Sequence, residues 1–405
     1  MKRGVLSLVP FLLAVWAAPS SAQLSNDSVK IGVATDMASL YSDINGPGAV
    51  AAVEMAIADF GGSVLGKKIE MVSGDIQNKP DVAASLASRW YDTEKVDVIL
   101  GAGASSSSIA IMGVANDKKR VYLATDPASS DITGKLCNPY TVHWVYDTAA
   151  LANSTGSAVV KAGGKDWFFL TVDYAFGYAL QRDVAAVVTK AGGKVVGEVK
   201  HPLNTSDFSS FLLQAQASKA QIIGLANAGG DTINSIKQAG EFGILKGGQK
   251  LAGLLVFVSD IHSLGLERAQ GLQFTEAYYW DQNDRTRAFA KRFAEKFKNR
   301  MPTMIQAGFY SAALGYLNAV KAAGTDDPDK VMAQLKATKW DDPIFGKSWI
   351  RPDGRKMHDM YLFEVKTPAE SKGPWDYYKQ LATIPADEAF RPMDQGNCPM
   401  VAKKN

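Results

Sequence analysis

Four serines in a row, Ser105, Ser106, Ser107 and Ser108, follow the run Val96-Asp97-Val98-Ile99-Leu100-Gly101-Ala102-Gly103-Ala104. Hydroxyls at the entrance of a helix cap its free N–H groups and hydrogen-bond an arriving anion. Ile109, Met112 and Ala115 then recur at helical spacing, so the serines open an amphipathic helix. No catalytic base, nucleophile partner or metal ligand stands beside them. The chemistry on offer is recognition, and its object is a small carboxylate.

The elements that must position this turn alternate along the chain. Strands are predicted at 29–34, 68–72, 96–101 and 121–124, with helices between them. One helix has Val50, Val53, Ile57 and Phe60 on a single face, and another runs over 80–94 with Asp81 at the positive end of its dipole. Near His143-Trp144-Val145 the pattern restarts. Strands at 167–172, 194–199, 221–225 and 251–258 alternate with a helix marked by Leu180, Val184, Val187 and Val188 and with helices at 208–217 and 232–242. Gly61-Gly62 before 68–72 matches Gly192-Gly193 before 194–199, a weak echo at an offset of roughly 125–130 residues. Helices at 286–300, 306–323 and 328–337, a Gly/Pro-punctuated section at 343–354, a strand at 360–365 and a surface-wrapping tail from about 367 complete the chain. The expected fold is α/β, with two similar lobes, each a parallel sheet flanked by helices. Their cleft faces the C-terminal ends of the strands, where open parallel sheets bind ligands.

The ends and the composition narrow the function. Lys2 and Arg3, an apolar stretch over 4–18 and the small residues Ser20-Ser21-Ala22 read as a secretion leader over 1–22. No later segment reaches the roughly 20 apolar residues of a spanning helix. The formal net charge is only +3, and Lys2 and Arg3 of the leader contribute two of it. Such near-neutrality argues against a nucleic-acid or anionic-membrane partner. Cys137 and Cys398 are the two cysteines. In an exported protein they read as one disulfide, with two free thiols as the alternative.

Other chemistries find little support. His143, His201, His262 and His358 are scattered without metal-ligand spacing, so neither a metal nor a cofactor is expected. Gly101-Ala102-Gly103 lacks the third glycine of a dinucleotide fingerprint. A serine hydrolase has no Gly-x-Ser-x-Gly elbow to use here. A ligand sensor of the same fold remains the alternative, although it is expected to carry a membrane span. A non-enzymatic carrier is the leading reading.

Taken together, these features resemble the periplasmic solute-binding proteins of ABC transporters, in particular the leucine/isoleucine/valine-binding family. The resemblance rests on Val29-Lys30-Ile31-Gly32-Val33, on the helix opened by Gly48-Ala49, and on Leu100-Gly101-Ala102-Gly103-Ala104-Ser105-Ser106-Ser107. Asp173-Tyr174-Ala175-Phe176-Gly177 and Gln306-Ala307-Gly308-Phe309-Tyr310 extend it over nearly all the mature chain. It implies the type I fold, with three crossings between lobes near 143–147, 274–280 and 343–355. One lobe is then 23–145 plus 276–345, and the other is 146–275 plus 346–405. It also implies a periplasmic monomer that passes its ligand to membrane permease subunits.

In such a family the ligand's carboxylate is held by hydroxyls, which map onto Ser105, with Ser106 beside it, and onto Ser129. Tyr41 and Phe176 match aromatics that close on the ligand from opposite lobes. Asp260 in Val258-Ser259-Asp260-Ile261 matches the acid that meets an amino group. The tyrosine region of the family reads Leu225-Ala226-Asn227-Ala228-Gly229-Gly230 here and holds no aromatic. A branched-chain or other hydrophobic amino acid and an aromatic acid both remain candidate ligands.

Overall fold

The computed structural model describes residues 24–401, so the leader over 1–22 lies outside the described residues. β1 (Ser28–Thr35) is followed by α1 (Gly46–Phe60), β2 (Ser63–Val64), β3 (Lys67–Asp75), α2 (Pro80–Asp92), β4 (Val98–Gly101), α3 (Ser105–Asp117), β5 (Val121–Ala124) and β6 (Thr141–His143). The strands form one sheet in the order β2-β3-β1-β4-β5-β6, parallel except for β2. Helices cover both faces, which is why β4 and β5 are apolar at successive positions instead of alternating. α2 places Ala83, Leu86, Ala87, Trp90 and Tyr91 inward at helical spacing. Gly32 of β1 makes room for it, since a Cβ there would lie 2.7 Å from the Trp90 ring.

A helix interrupted by one π-helical turn then leads into the second lobe: α4 (Thr148–Leu151), the π turn (Ala152–Gly156) and α5 (Ser157–Lys161). Asp147 caps it by accepting from the Ala150 N–H at 2.8 Å. β7 (Asp166–Val172), α6 (Ala175–Lys190), β8 (Lys194–His201), α7 (Ser209–Ala217), β9 (Ile222–Ala226), α8 (Gly230–Glu241) and β10 (Lys250–Gly253) follow, with the all-parallel order β10-β9-β7-β8. Numbered by their own parallel strands, the lobes run 2-1-3-4-5 and 2-1-3-4. In each, the order reverses between the first and third parallel strands. Those reversals, β1/β4 and β7/β9, are where ligands bind in doubly wound sheets.

The strand expected at 251–258 is shorter than its apolar run. Only Lys250–Gly253 pairs with β9, and Val258 already opens α9 (Val258–Leu264), followed by α10 (Leu266–Ala269). Leu254, Leu255, Val256 and Phe257 are apolar because they are buried beyond the sheet.

β11 (Gln273–Glu276) leads back towards the first lobe. There α11 (Asp284–Lys296), α12 (Met304–Ala323) and α13 (Pro328–Ala337) follow, and α12 packs along α1 and against β4. β12 (Lys339–Asp342), β13 (Gly346–Ile350) and β14 (Lys356–Met357) make a small antiparallel sheet. Its Trp340 ring lies 6.1 Å from that of Trp144, and Arg355 bridges to His143 beside β6. The strip over 346–357, which sequence placed with the second lobe, therefore packs on the first. The third crossing comes between β14 and β15 (Met360–Val365), later than the expected 343–355.

β15 pairs with β11 and with β16 (Tyr378–Ile384), a strand inside the stretch read as an irregular tail. α14 (Ala386–Ala389) starts the return to the first lobe, where Cys398 is bonded to Cys137 across 261 residues of sequence. Among the described residues no helix is long and apolar enough to cross a membrane.

Candidate functional site

The β4–α3 turn is built from three consecutive residues with positive φ: Gly101 (108°), Ala102 (100°) and Gly103 (49°). Glycine adopts such angles freely, whereas Ala102 stores about 1–3 kcal/mol of strain. The Ala102 N–H donates to the Ala34 carbonyl at 2.8 Å and anchors the turn to β1. α3 begins at Ser105 with Ala104 as its N-cap, and no side chain caps it. Its positive end is therefore left to an outside acceptor.

Two loops are stitched together here. The Ser105 Oγ accepts from the Ala128 N–H at 3.2 Å and from the Ser129 N–H at 3.1 Å. A hydroxyl that accepts twice still has its O–H to donate. In the reverse direction, Asp126 Oδ2 accepts from the Gly103 N–H at 2.7 Å and from Asn45 Nδ2 at 2.8 Å. Asp126 Oδ1 is buried and accepts no hydrogen bond. The Tyr146 hydroxyl donates to the Asp126 carbonyl at 3.0 Å. Burial pushes the Asp126 carboxyl up to about 7.

These groups line a cavity with residues of the opposite lobe. The first lobe contributes Tyr41, Ile44, Asn45, Gly103, Ser105, Asp126 and Ala128, with Tyr146 just past β6. The second contributes Tyr174, Phe176, Ala228, Leu255 and Phe257. Each follows the C-terminal end of a parallel strand, and the lining holds no lysine or arginine. Tyr146 is fixed from behind, where buried Arg355 donates to its carbonyl at 2.8 Å and pairs with Asp147 at 3.7 Å.

The lobes are closed over this space. The Tyr41 and Tyr174 hydroxyls are 2.8 Å apart, and the cavity has about 30 Å³ of free volume. Gly229 has a φ of 57°, and a Cβ on it would lie 3.1 Å from both the Leu40 carbonyl and the Tyr41 ring. That glycine lets the loop after β1 settle against α8.

Of the residues singled out from sequence, Ser105, Tyr41 and Phe176 line the cavity. Ser106 is half-buried on α3 and is not part of the lining. Ser129 is buried with its Oγ accepting from the Asp131 N–H at 3.4 Å, and it reaches the site only through its N–H on Ser105. Asp260 lies outside the lining and accepts from the Phe257 N–H at 3.0 Å in the first turn of α9. The position that sequence assigned to an amino-group partner is thus occupied by a helix-capping acid, itself pushed up to about 7 by burial. Sequence reasoning passed over Asn45, Asp126, Tyr146, Tyr174 and Phe257. Tyr174 stood inside the motif quoted for Phe176, and Asp126 immediately before Pro127. Among the described residues no group of three or more His, Cys, Asp or Glu is arranged to hold a metal ion.

A family model described as periplasmic binding protein matches residues 28–374. The fold is shared with a periplasmic binding protein from Burkholderia mallei at a TM-score of 0.90 and 56% identity, covering 92% of this chain and 99% of that one. It is shared too with a branched-chain amino acid ABC transporter periplasmic ligand-binding protein from Burkholderia xenovorans, at a TM-score of 0.82, 44% identity, and 92% and 99% coverage. A solute-binding protein of an ABC transporter from Rhodopseudomonas palustris, solved with 3,4-dihydroxybenzoic acid, superimposes at a TM-score of 0.80 with 26% identity over 89% of this chain and 98% of that one. With the doubly wound lobes and the closed cleft at their strand ends, these likenesses have one reading: the chain belongs to the periplasmic binding proteins of ABC transporters, of type I fold, in the branched-chain amino acid family.

Proposed function

We propose that this protein captures a small carboxylate with an apolar body between its lobes and delivers it, as a periplasmic monomer, to the permease subunits of an ABC importer. The observation that carries this reading is the division of the cavity into two unlike walls. One wall is the uncapped start of α3 with the Ser105 hydroxyl, suited to an anion. The other is Tyr174, Phe176, Leu255 and Phe257, suited to a flat or branched hydrocarbon. Tyr41 closes over both. The relatives support a ligand of this size: one is described as a branched-chain amino acid binder, and another holds a dihydroxybenzoic acid. About 30 Å³ admits little more than a water molecule, so the lobes open to load the ligand and close again around it.

The test is a thermal-shift screen of the purified protein against hydrophobic amino acids, benzoates and the matching amides. A ligand that binds only the folded form raises the melting temperature. At least one acid is expected to do so while its amide does not. Equal shifts with acid and amide would remove the carboxylate from the reading.

A further inference from the structure

We infer that Asp126 is the specificity-determining residue of the cleft, and that its free oxygen receives an N–H or O–H donor carried next to the ligand's carboxylate. The favoured ligands are then 2-amino or 2-hydroxy acids. This rests on the carboxylate reading above and adds a second polar requirement to it.

The observation is an unequal use of two oxygens. Oδ2 is tied to Gly103 N–H and Asn45 Nδ2, which fix the carboxylate in one orientation. Oδ1 of the same group, in a residue 6% exposed, has no partner although Asp126 lines the cavity. A buried carboxylate oxygen without a donor is costly, and no lysine or arginine lines the cavity to offset it. A structural clamp for the turn needs only Oδ2. The second oxygen is left for whatever enters the cavity.

The position of that donor follows from the stitching. Asp126 is bonded to the residue two before Ser105, and Ser105 is bonded to the amide two after Asp126. A carboxylate at Ser105 and the start of α3 therefore has Asp126 as its immediate neighbour. A donor one carbon away reaches Oδ1, whereas one across an aromatic ring points towards Phe176 and Phe257. Asp260, the acid expected for this role, has its carboxylate engaged at the start of α9 and stands outside the lining.

The experiment compares matched ligands on wild type and Asp126→Asn by calorimetry. The probes are leucine, 2-hydroxy-4-methylpentanoate and 4-methylpentanoate, and likewise phenylalanine, 3-phenyllactate and 3-phenylpropanoate. Wild type is expected to favour the amino or hydroxy member of at least one series over its unsubstituted acid by about 10- to 100-fold. In Asp126→Asn the amide keeps an oxygen for Gly103 and Asn45 but turns an NH2 towards the ligand. The preference should collapse to within about threefold, with the unsubstituted acid bound as before. Unsubstituted acids or plain benzoate binding wild type as tightly as the substituted ones would overturn the inference and leave the carboxylate reading intact. Failure of every acid to bind would overturn both. Should Asp126→Asn not fold, the wild-type series still decides.

Discussion

The phenolic oxygens of Tyr41 and Tyr174 lie 2.8 Å apart, one following β1 of the first lobe and the other following β7 of the second. Both rings line the cavity, and burial holds both hydroxyls well above the ordinary tyrosine range. A pair of neutral hydroxyls has one donor to share, so the contact joins the lobes without a fixed charge.

Replacing Tyr174 with Phe removes that link and leaves the aromatic wall. A neutral hydrogen bond is worth about 0.5–1.5 kcal/mol net, so ligand release should quicken by roughly 2- to 12-fold with little change in capture. Stopped-flow tryptophan fluorescence measures both rates. An unchanged release rate would mean that the liganded state does not make this contact.

Ser105 sits where its loss acts twice. Ser105→Ala removes a donor to the ligand and frees the Ala128 and Ser129 amides that its Oγ receives. Affinity for a carboxylate ligand should fall by about 10- to 100-fold, while the amide analogue loses little more in the variant than in wild type. Calorimetry on both proteins is the check. Unaltered affinity for the acid would reduce Ser105 to a stitch between loops.

Acid should weaken the fold through buried histidine. His358 is stacked between Phe345 and Phe390, its Nδ1 donates to the Asp359 carbonyl, and burial beside Lys356 pushes its pKa down to about 3. The unfolded chain takes up that proton near pH 6.5, so the contribution is complete above about 6.5 and is lost as pH falls towards 3. Buried Asp126 and Asp260, both pushed up to about 7, act in the opposite sense between about pH 7 and 4. His358→Gln should therefore remove up to about 1.4 kcal/mol per pH unit of stability loss between pH 6 and 4, read from urea unfolding at several pH values. Parallel curves for the two proteins would contradict the assignment.

The Cys137–Cys398 bridge closes a loop of 261 residues. Chain-entropy arguments give such a bridge about 2–5 kcal/mol. Reduction, or the double change to serine, should lower the unfolding midpoint accordingly, and a non-reduced digest should yield one peptide pair joined through these residues. Two alkylatable thiols in the native exported protein would be the contrary result.

What was legible in the sequence was local. Strand-helix alternation gave the lobes, because each strand and its return helix carry their own apolar pattern. Tyr41, Ser105 and Phe176 were visible because each closely follows such a strand. Asp126 was not, since an acid before Pro127 reads as a turn residue and its partners Asn45 and Gly103 are distant in sequence. Tyr146 depends on Arg355, 209 residues away. Phe257 was hidden by a false continuity: the apolar run after β10 is buried beyond the sheet and not within it. β16 escaped notice because only its first residue is buried, which leaves no alternation to read.

The tail has a consequence for how the protein is made. Cys398 stands near the end of the chain, and its partner lies in the first lobe, before β6. A polypeptide exported N-terminus first presents Cys137 long before its partner arrives. The thiol must wait until almost the whole chain has been delivered and the second lobe has folded back. The bond thus serves as a receipt for complete delivery, and a product truncated before residue 398 keeps an open thiol that oxidoreductases and proteases can recognise.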